Sequence, residues 1–333
     1  MRDLILLDNY IIMRTLLAPM EGVVDNEMRD VLTRIGGYDR CVTEFIRVND
    51  QILPDHVFFR LCPELKEGGR TPSGVPVYVQ LLGGNAKSMG LNAAKAQLLE
   101  PQGIDINFGC PSKTVTKSDG GSALLREPDR IGNIVAEVRD SVDSNIPVTA
   151  KIRLGFSNHD LLEEVVENVI RGGANELCIH ARTREDRYKP PAYWSAVKKV
   201  SQKSPIPIII NGEIWSIEDA RKARAESGCD DIMLGRGALT CPDLAKSIHA
   251  DLQGKPYQAL SWLDSLEIVH EYLLNSQSKH PLFVSNRAKQ WLVFLQMHFE
   301  PAKTLFTSIK RLKEASDVFN AFDQHKTEFA NKP

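Results

Sequence analysis

Eight short apolar runs, at 16–20, 41–48, 77–82, 104–108, 148–154, 176–180, 206–210 and 231–234, are punctuated in alternation. The third, fifth and seventh are led in by Pro76, Pro147 and Pro207; the second, fourth, sixth and eighth follow Gly37, Gly103, Gly173 and Gly228. Proline has no amide to donate, so it is tolerated at the first residue of a strand. Glycine suits the stop after a helix. Amphipathic segments fill the gaps: Asp25 can cap a helix to about residue 35, stopped by Gly36, and 86–99, 129–142, 160–171, 195–201 and 216–227 read as further helices. Strands apolar along their whole length, alternating with helices, describe a parallel sheet buried on both faces. A two-strand unit made four times predicts a (β/α)8 TIM barrel over 13–254, an α/β fold. A doubly wound open sheet is the alternative. Beyond 254 the pattern changes: 261–274, 284–298, 302–312 and 316–325 have helical spacing with no strand between them. Residues 255–333 are therefore expected to form an all-helical domain.

With 42% hydrophobic residues, the chain of 333 is too apolar for disorder. Its net charge of −2 excludes a uniformly basic coat for nucleic acid. No run reaches the length of a membrane-spanning helix. Residues 1–12, interrupted by Asp8 and Asn9, do not make a signal peptide and read as a dispensable extension. The six cysteines form no C-x-x-C pair, so no metal site is expected, and the chain reads as reduced and cytoplasmic. Cys41, Cys178 and Cys229 lie in or beside strand-like runs and are expected to be packing residues.

A barrel of this kind places its active site at the C-terminal ends of the strands. Those ends carry Pro19, Met20 and Glu21; Thr43, Glu44 and Arg47; Gln80; Asn107 and Cys110; Lys151 and Arg153; His180; Asn211, Gly212 and Glu213; and Gly235 and Arg236. A charged residue such as Lys151 on a buried strand is costly unless paired or functional. The glycine-rich segments after strands seven and eight stand where barrels usually hold a phosphate. Together with Gln80 and Lys151 they suit a flavin mononucleotide, although spacing alone also admits a sugar phosphate. Cys110 opens a long polar loop, and its thiol, mostly protonated near neutrality, suits a general acid. A nucleophile of depressed pKa is the other reading.

The motifs A-P-M-E-G at 18–22, N-F-G-C-P-S-K at 107–113, H-A-R-T at 180–183, N-G-E-I-W at 211–215 and G-R-G-A at 235–238 occur in this order. Over about 13–320 the chain resembles the tRNA-dihydrouridine synthases. T-E-F-I-R-V at 43–48 and R-A-K-Q-W-L at 287–292 resemble their bacterial C-type branch, which acts at position 16 of the tRNA D-loop. The resemblance implies FMN held by Pro19, Met20, Glu21, Gln80, Lys151, His180, Asn211, Gly212, Glu213, Gly235 and Arg236, with NADPH (or NADH) as reductant. It implies Cys110 as the proton donor to C5 of a uracil, Asn107 holding the base, and Arg47 and Tyr188 on the RNA. Phe108 stands where the family often has a smaller residue, and Asp119 adds charge to a loop that is usually richer in glycine.

A uracil in folded tRNA must be turned out of its loop to enter a barrel, so a basic surface is expected beside the mouth. Residues 279–313 carry seven basic residues against Glu300 alone, a net of +6, which leaves −8 on the rest. Arg287 and Lys289, with Phe294 nearby, and then Lys310 are the expected tRNA contacts. The competing readings are a flavin barrel acting on a free pyrimidine, as in dihydroorotate dehydrogenases, and an RNA-binding protein without catalysis. A monomer is expected.

Overall fold

The computed structural model describes residues 13–112, 120–277 and 281–330. The extension at 1–12, the loop segment 113–119 with its Asp119, and Lys279 lie outside the described residues. Nine strand segments are present among them: β1 (Thr15–Leu17), β2 (Arg40–Val42), β3 (Ile46–Arg47), β4 (Val77–Leu82), β5 (Ile104–Asn107), β6 (Val148–Gly155), β7 (Glu176–Thr183), β8 (Ile208–Asn211) and β9 (Asp231–Leu234). All pair in parallel, and β1 lies between β2 and β9. Pairing of β2 with β4 closes the sheet into a ring. Closure settles the barrel against the open sheet, which would leave two free edges.

The run expected as one strand at 41–48 is broken in two, and both pieces pair with β4, so they make one stave. Side chains act at the break: Thr43 Oγ1 accepts the Gln80 amide at 3.0 Å, and Glu44 accepts the amide of Gly22. Pro76, Pro147 and Pro207 each stand one residue before a strand, and their carbonyls accept from Cys41, Ile104 and Leu177 at 2.9, 2.9 and 3.1 Å. Each proline thus joins the ladder through the one hydrogen-bonding group it keeps. Gly37 permits a close approach: its φ is +88°, and a Cβ there would lie 2.4 Å from the Lys246 nitrogen.

The helix Asn26–Ile35 starts at Asp25, whose carboxylate accepts the Met28 amide, and stops at Gly36 with φ +108°. Helices Asp55–Leu61, Arg236–Thr240 and Leu244–Leu252 escaped the sequence reading. The first two, of 7 and 5 residues, are too short to show a period.

Four helices follow the barrel: Trp262–Asn275, Pro281–Leu295, Glu300–Ile309 and Ala315–Ala330. The first opens with a capping box between Ser261 and Asp264. One apolar core runs from the barrel into these helices. Trp291 is its link: fully buried, it donates Nε1 to the Leu239 carbonyl at 3.0 Å and meets the Tyr272 ring edge-on at 5.2 Å. Among the described residues no helix is long and apolar enough to cross a membrane, and no cluster of side chains suits a metal ion.

Candidate active site

The strand register assembles the site. Asn107 lies beside Lys151, Arg153 beside His180, and His180 beside Asn211. Residues two apart on a strand share a face, so Lys151 and Arg153, like His180 and Arg182, point the same way. They open into a cavity of about 350 Å³ at the C-terminal end of the barrel.

Fifteen of the residues singled out from the sequence line this cavity: Pro19, Met20, Glu21, Asn107, Cys110, Lys151, Arg153, His180, Tyr188, Asn211, Gly212, Glu213, Gly235, Arg236 and Phe294. Phe294 comes from the helix Pro281–Leu295, so the helical region contributes to the cavity wall. Gln80 is not in the lining. It is fully buried, donates Nε2 to Asp105 at 2.7 Å and accepts from Asn107 Nδ2 at 2.7 Å. Arg47 is half-buried at the end of β3, close enough to pull the Cys110 thiol downward.

Lys151 forms part of the floor, its Nζ donating to Asn211 Oδ1 at 2.9 Å. Asn211 is oriented by its own Nδ2, which donates to the Met233 carbonyl at 2.8 Å. Burial pulls the Lys151 ammonium below its ordinary range. Glu213, at a left-handed φ of 55°, accepts from Arg236 at 3.1 Å and lies 2.8 Å from Arg182 Nη2. That nitrogen is buried, off the hydrogen-bond direction to Glu213, and has no other partner among the described residues. Burial and then the charges of Arg153, Lys151, Arg182 and Arg236 hold His180 well below its usual range, so its ring is neutral. Four cations and a shared carboxylate around one cavity make a site for an anion.

Burial raises the Cys110 thiol above its ordinary range; Ser112's amide, Arg153 and Arg47 pull the other way, and Glu21 adds to the rise. The thiol is therefore protonated near neutrality, which favours the acid over the nucleophile. Although it opens a polar loop, Cys110 is half-buried and its backbone is pinned. Its amide donates to Asn107 Oδ1 at 2.9 Å, and its carbonyl accepts from Ser122 N at 3.1 Å and Ser122 Oγ at 2.8 Å.

Sequence reasoning named Arg153 without giving it a role. Its guanidinium joins two loops, donating to the carbonyls of Gly109 at 2.7 Å, Arg187 at 2.9 Å and Thr183 at 3.1 Å. The signal was its spacing, two residues after Lys151 on a buried strand. Tyr188, 52% exposed at the rim, has Arg153 and Arg236 over its ring, each at 5.3 Å. Trp215, also in the lining, packs against Arg236 at 4.9 Å.

Two expected RNA contacts are turned inward. Arg287 donates to the carbonyl of Gly22 at 2.6 Å and pairs with Asp25 at 2.9 Å, its side chain 12% exposed. Lys289 donates to the Leu312 carbonyl at 2.5 Å. Helical periodicity cannot tell a solvent face from a face against the barrel, and this helix has barrel on one side. Arg287→Ala is expected to cost about 2 kcal/mol in denaturant unfolding, since it strips a charged donor from several acceptors. The salt dependence of RNA binding should not change. A flattened salt slope with unchanged stability would place Arg287 on the RNA instead.

A family model described as dihydrouridine synthase (Dus) matches residues 16–329. The chain belongs to the dihydrouridine synthase family. It is 49% identical over 307 residues to a tRNA-dihydrouridine(16) synthase of Pseudomonas putida, covering 92% of this chain and 95% of that one. With a protein of the same name from Shewanella oneidensis it shares 46% over 313 residues, 94% and 98% of the two chains. Among solved structures, 2-naphthoyl-CoA reductase in complex with 2-naphthoyl-CoA matches with a TM-score of 0.54 at 12% identity, over 73% of this chain and 50% of that one. A variant of NCR from Zymomonas mobilis matches with a TM-score of 0.50 at 13% identity, over 75% and 90%. These two share the barrel fold. As a dihydrouridine synthase the chain is an oxidoreductase, and the barrel mouth just described is its candidate active site.

Proposed function

We propose that this dihydrouridine synthase reduces the C5–C6 bond of uridine 16 in the tRNA D-loop, with FMN in the cavity and NADPH as reductant. The carrying observation is that Cys110, with its thiol kept protonated, opens onto the same cavity as Lys151 and the other cations. Position 16 rests on relatives named for it, 49% and 46% identical to this chain.

The residues fit FMN. The cavity carries Lys151, Arg153, Arg182 and Arg236, and the buried Arg182 Nη2 lacks an aligned acceptor. Arg236 and the backbone at Gly235 and Gly212 would hold the phosphate; Lys151, Asn211 and His180 would face the ring; Pro19, Met20 and Glu21 would form the opposite wall. Gln80 would act from below, through Asn107. Bound there, FMN would deliver to C6 of the uracil a hydride taken from NADPH.

The protein's own groups do the rest. Cys110 donates its proton to C5, which completes the addition of two hydrogens and gives 5,6-dihydrouridine. Asn107 and Tyr188 hold the extruded base and its flank, and Arg47 and Phe294 meet RNA at the rim. Lys303, Lys310, Arg311 and Lys313 are exposed; they would form the basic face that steers tRNA, with 255–333 as the tRNA-binding domain. The enzyme would act as a monomer in the cytoplasm.

The test is expression in a strain lacking every dihydrouridine synthase, followed by mapping of its tRNA. Dihydrouridine restored at position 16 supports the reading; restoration at 17 or 20 refutes the position, and none at any position refutes the activity. For the basic face, Lys310→Glu with Arg311→Glu should weaken tRNA binding and lower the slope of log K against log salt by about 1.5, some 0.7 to 0.9 per lost phosphate contact. An unchanged slope would remove these residues from the interface.

A further inference from the structure

Beneath Cys110 lies a chain of hydrogen bonds with a fixed direction. Thr149 Oγ1 donates to Asp105 Oδ1 at 2.6 Å, and Gln80 Nε2 donates to Asp105 Oδ2 at 2.7 Å. Asn107 Nδ2 donates to Gln80 Oε1 at 2.7 Å. Asn107 Oδ1 then accepts the amides of Gly109 and Cys110, both at 2.9 Å. The strand ladder sets these residues side by side, with Asp105 opposite Gln80 on one flank and Thr149 on the other. Asn107 follows two residues later on the same face. All are buried.

We propose that Asp105 is a positioning residue for the proton donor: it sets the direction of the Gln80–Asn107 amide chain and so holds the turn that carries Cys110. The inference rests on the reading of Cys110 as proton donor. Burial raises the Asp105 carboxyl, and the Thr149 and Gln80 hydrogen bonds, then Arg40 and Lys151, pull it back. Both of its oxygens accept, so it presents no donor to Gln80, whereas a carboxamide offers a donor at one end and an acceptor at the other. Facing Asp105, Gln80 must turn its NH2 inward and its oxygen toward Asn107. Asn107 must then give its NH2 to Gln80 and keep its oxygen for the two amides. Reversing either amide sets oxygen against oxygen, or NH2 against N–H, in a site with little access to water. Without Asp105 nothing at the foot of the chain selects the direction.

The competing role for this buried carboxylate is that of a counter-charge to Arg40 and Lys151. The two roles part at Asp105→Asn, which removes the charge but can still turn an oxygen to Gln80 and an NH2 to the Thr149 hydroxyl. Asp105→Val removes both. Gln80→Met breaks the chain one step higher and leaves Asp105 in place.

The experiment uses the full-length protein and two readouts. The first is the rate of iodoacetamide alkylation at Cys110, resolved by peptide mass spectrometry; the buried Cys41, Cys62, Cys178 and Cys229 report on folding. Asp105→Val and Gln80→Met should each change the Cys110 rate about fivefold or more, and the double variant should do no more than one of them, because residues on one chain are not additive. Asp105→Asn should stay within about twofold of the parent, as retention of the acceptor requires. The second readout, in flavin-loaded Asp105 variants, separates the half-reactions. Asp105→Val should slow flavin reoxidation by tRNA about 10–100-fold through misplacement of Cys110, while reduction by NADPH is unchanged. Asp105→Asn as damaging as Asp105→Val, an additive double variant, or an unaltered Cys110 alkylation rate in Asp105→Val would each overturn the proposal. Should Asp105→Val expose the four buried cysteines, Gln80→Met against Asp105→Asn decides in the same way. Failure of the underlying reading shows separately, as full activity in Cys110→Ala.

Discussion

Cys110→Ala is expected to retain folding and flavin but to lose turnover by about 10²–10⁴-fold, the usual contribution of a positioned general acid. The cavity keeps its cations in this variant, and only the thiol is removed. The loss should appear in kcat rather than in the KM for tRNA, because the proton moves only after the base is bound. The sign of the pH dependence follows from burial, which raises the thiol above its ordinary range. The acid is then competent at neutral pH, and activity should fall only as the medium becomes alkaline enough to ionise it, at a pH above the ordinary thiol range. A nucleophilic cysteine would do the reverse and gain activity as pH rises. Near-normal turnover of Cys110→Ala in single-turnover kinetics would eliminate the proton-donor role.

Arg29→Met is expected to destabilise the fold by about 3–5 kcal/mol, because it strands a buried carboxylate. Arg29 is 0% and Glu64 7% exposed, joined by two hydrogen bonds of 2.8 and 2.9 Å. The same guanidinium donates to the carbonyls of Val24 at 3.2 Å and Leu61 at 3.0 Å. It thereby ties the helix Asn26–Ile35, and the cavity-wall loop before it, to the segment Pro63–Glu67. Replacing both partners, Arg29→Met with Glu64→Leu, should recover much of the loss, since neither then leaves a lone buried charge. Arg171–Asp129 is the contrast: with side chains 70% and 82% exposed, the pair should be worth about 0–1 kcal/mol. Urea unfolding with an unchanged m-value would measure both, and a loss below about 1 kcal/mol for Arg29→Met would mean that the site relaxes around Glu64.

The barrel was legible because its punctuation is local physics. A proline before a strand and a glycine after a helix have the same meaning wherever the strand ends up. Those residues stand at those places in the fold except Gly103, which lies past its helix and directly before β5, where a Cβ would strike the Tyr78 ring. The catalytic end was legible for a related reason. Lys151 and Arg153 are charged residues within an apolar run, and a parallel strand buried on both faces has few ways to tolerate them. The break between β2 and β3 was hidden, because Thr43 and Glu44 act through partners at Gln80 and Gly22, far away in sequence. Gln80 was expected to touch flavin, but its amide is engaged by Asp105 and Asn107 below the cavity floor. Its neighbours come from another strand, and no pattern on its own strand announces them.

By itself the sequence determined the alternation of strands and helices, the helical end, the ordered motifs that carry the family likeness, and the residue types at the strand ends. These follow from hydrophobic period, backbone constraint and the cost of burying charge, each of which acts over a few residues. Only the tertiary structure decided which way those residues point. Closure of the sheet brings Lys151 against Asn211 and sets four cations around His180. Packing of the helical region turns Arg287 and Lys289 inward while leaving Lys310 and Arg311 outside. A net charge of +6 on residues 279–313 is a property of composition, but whether a given charge meets a carbonyl or an RNA phosphate depends on which helix face lies against the barrel.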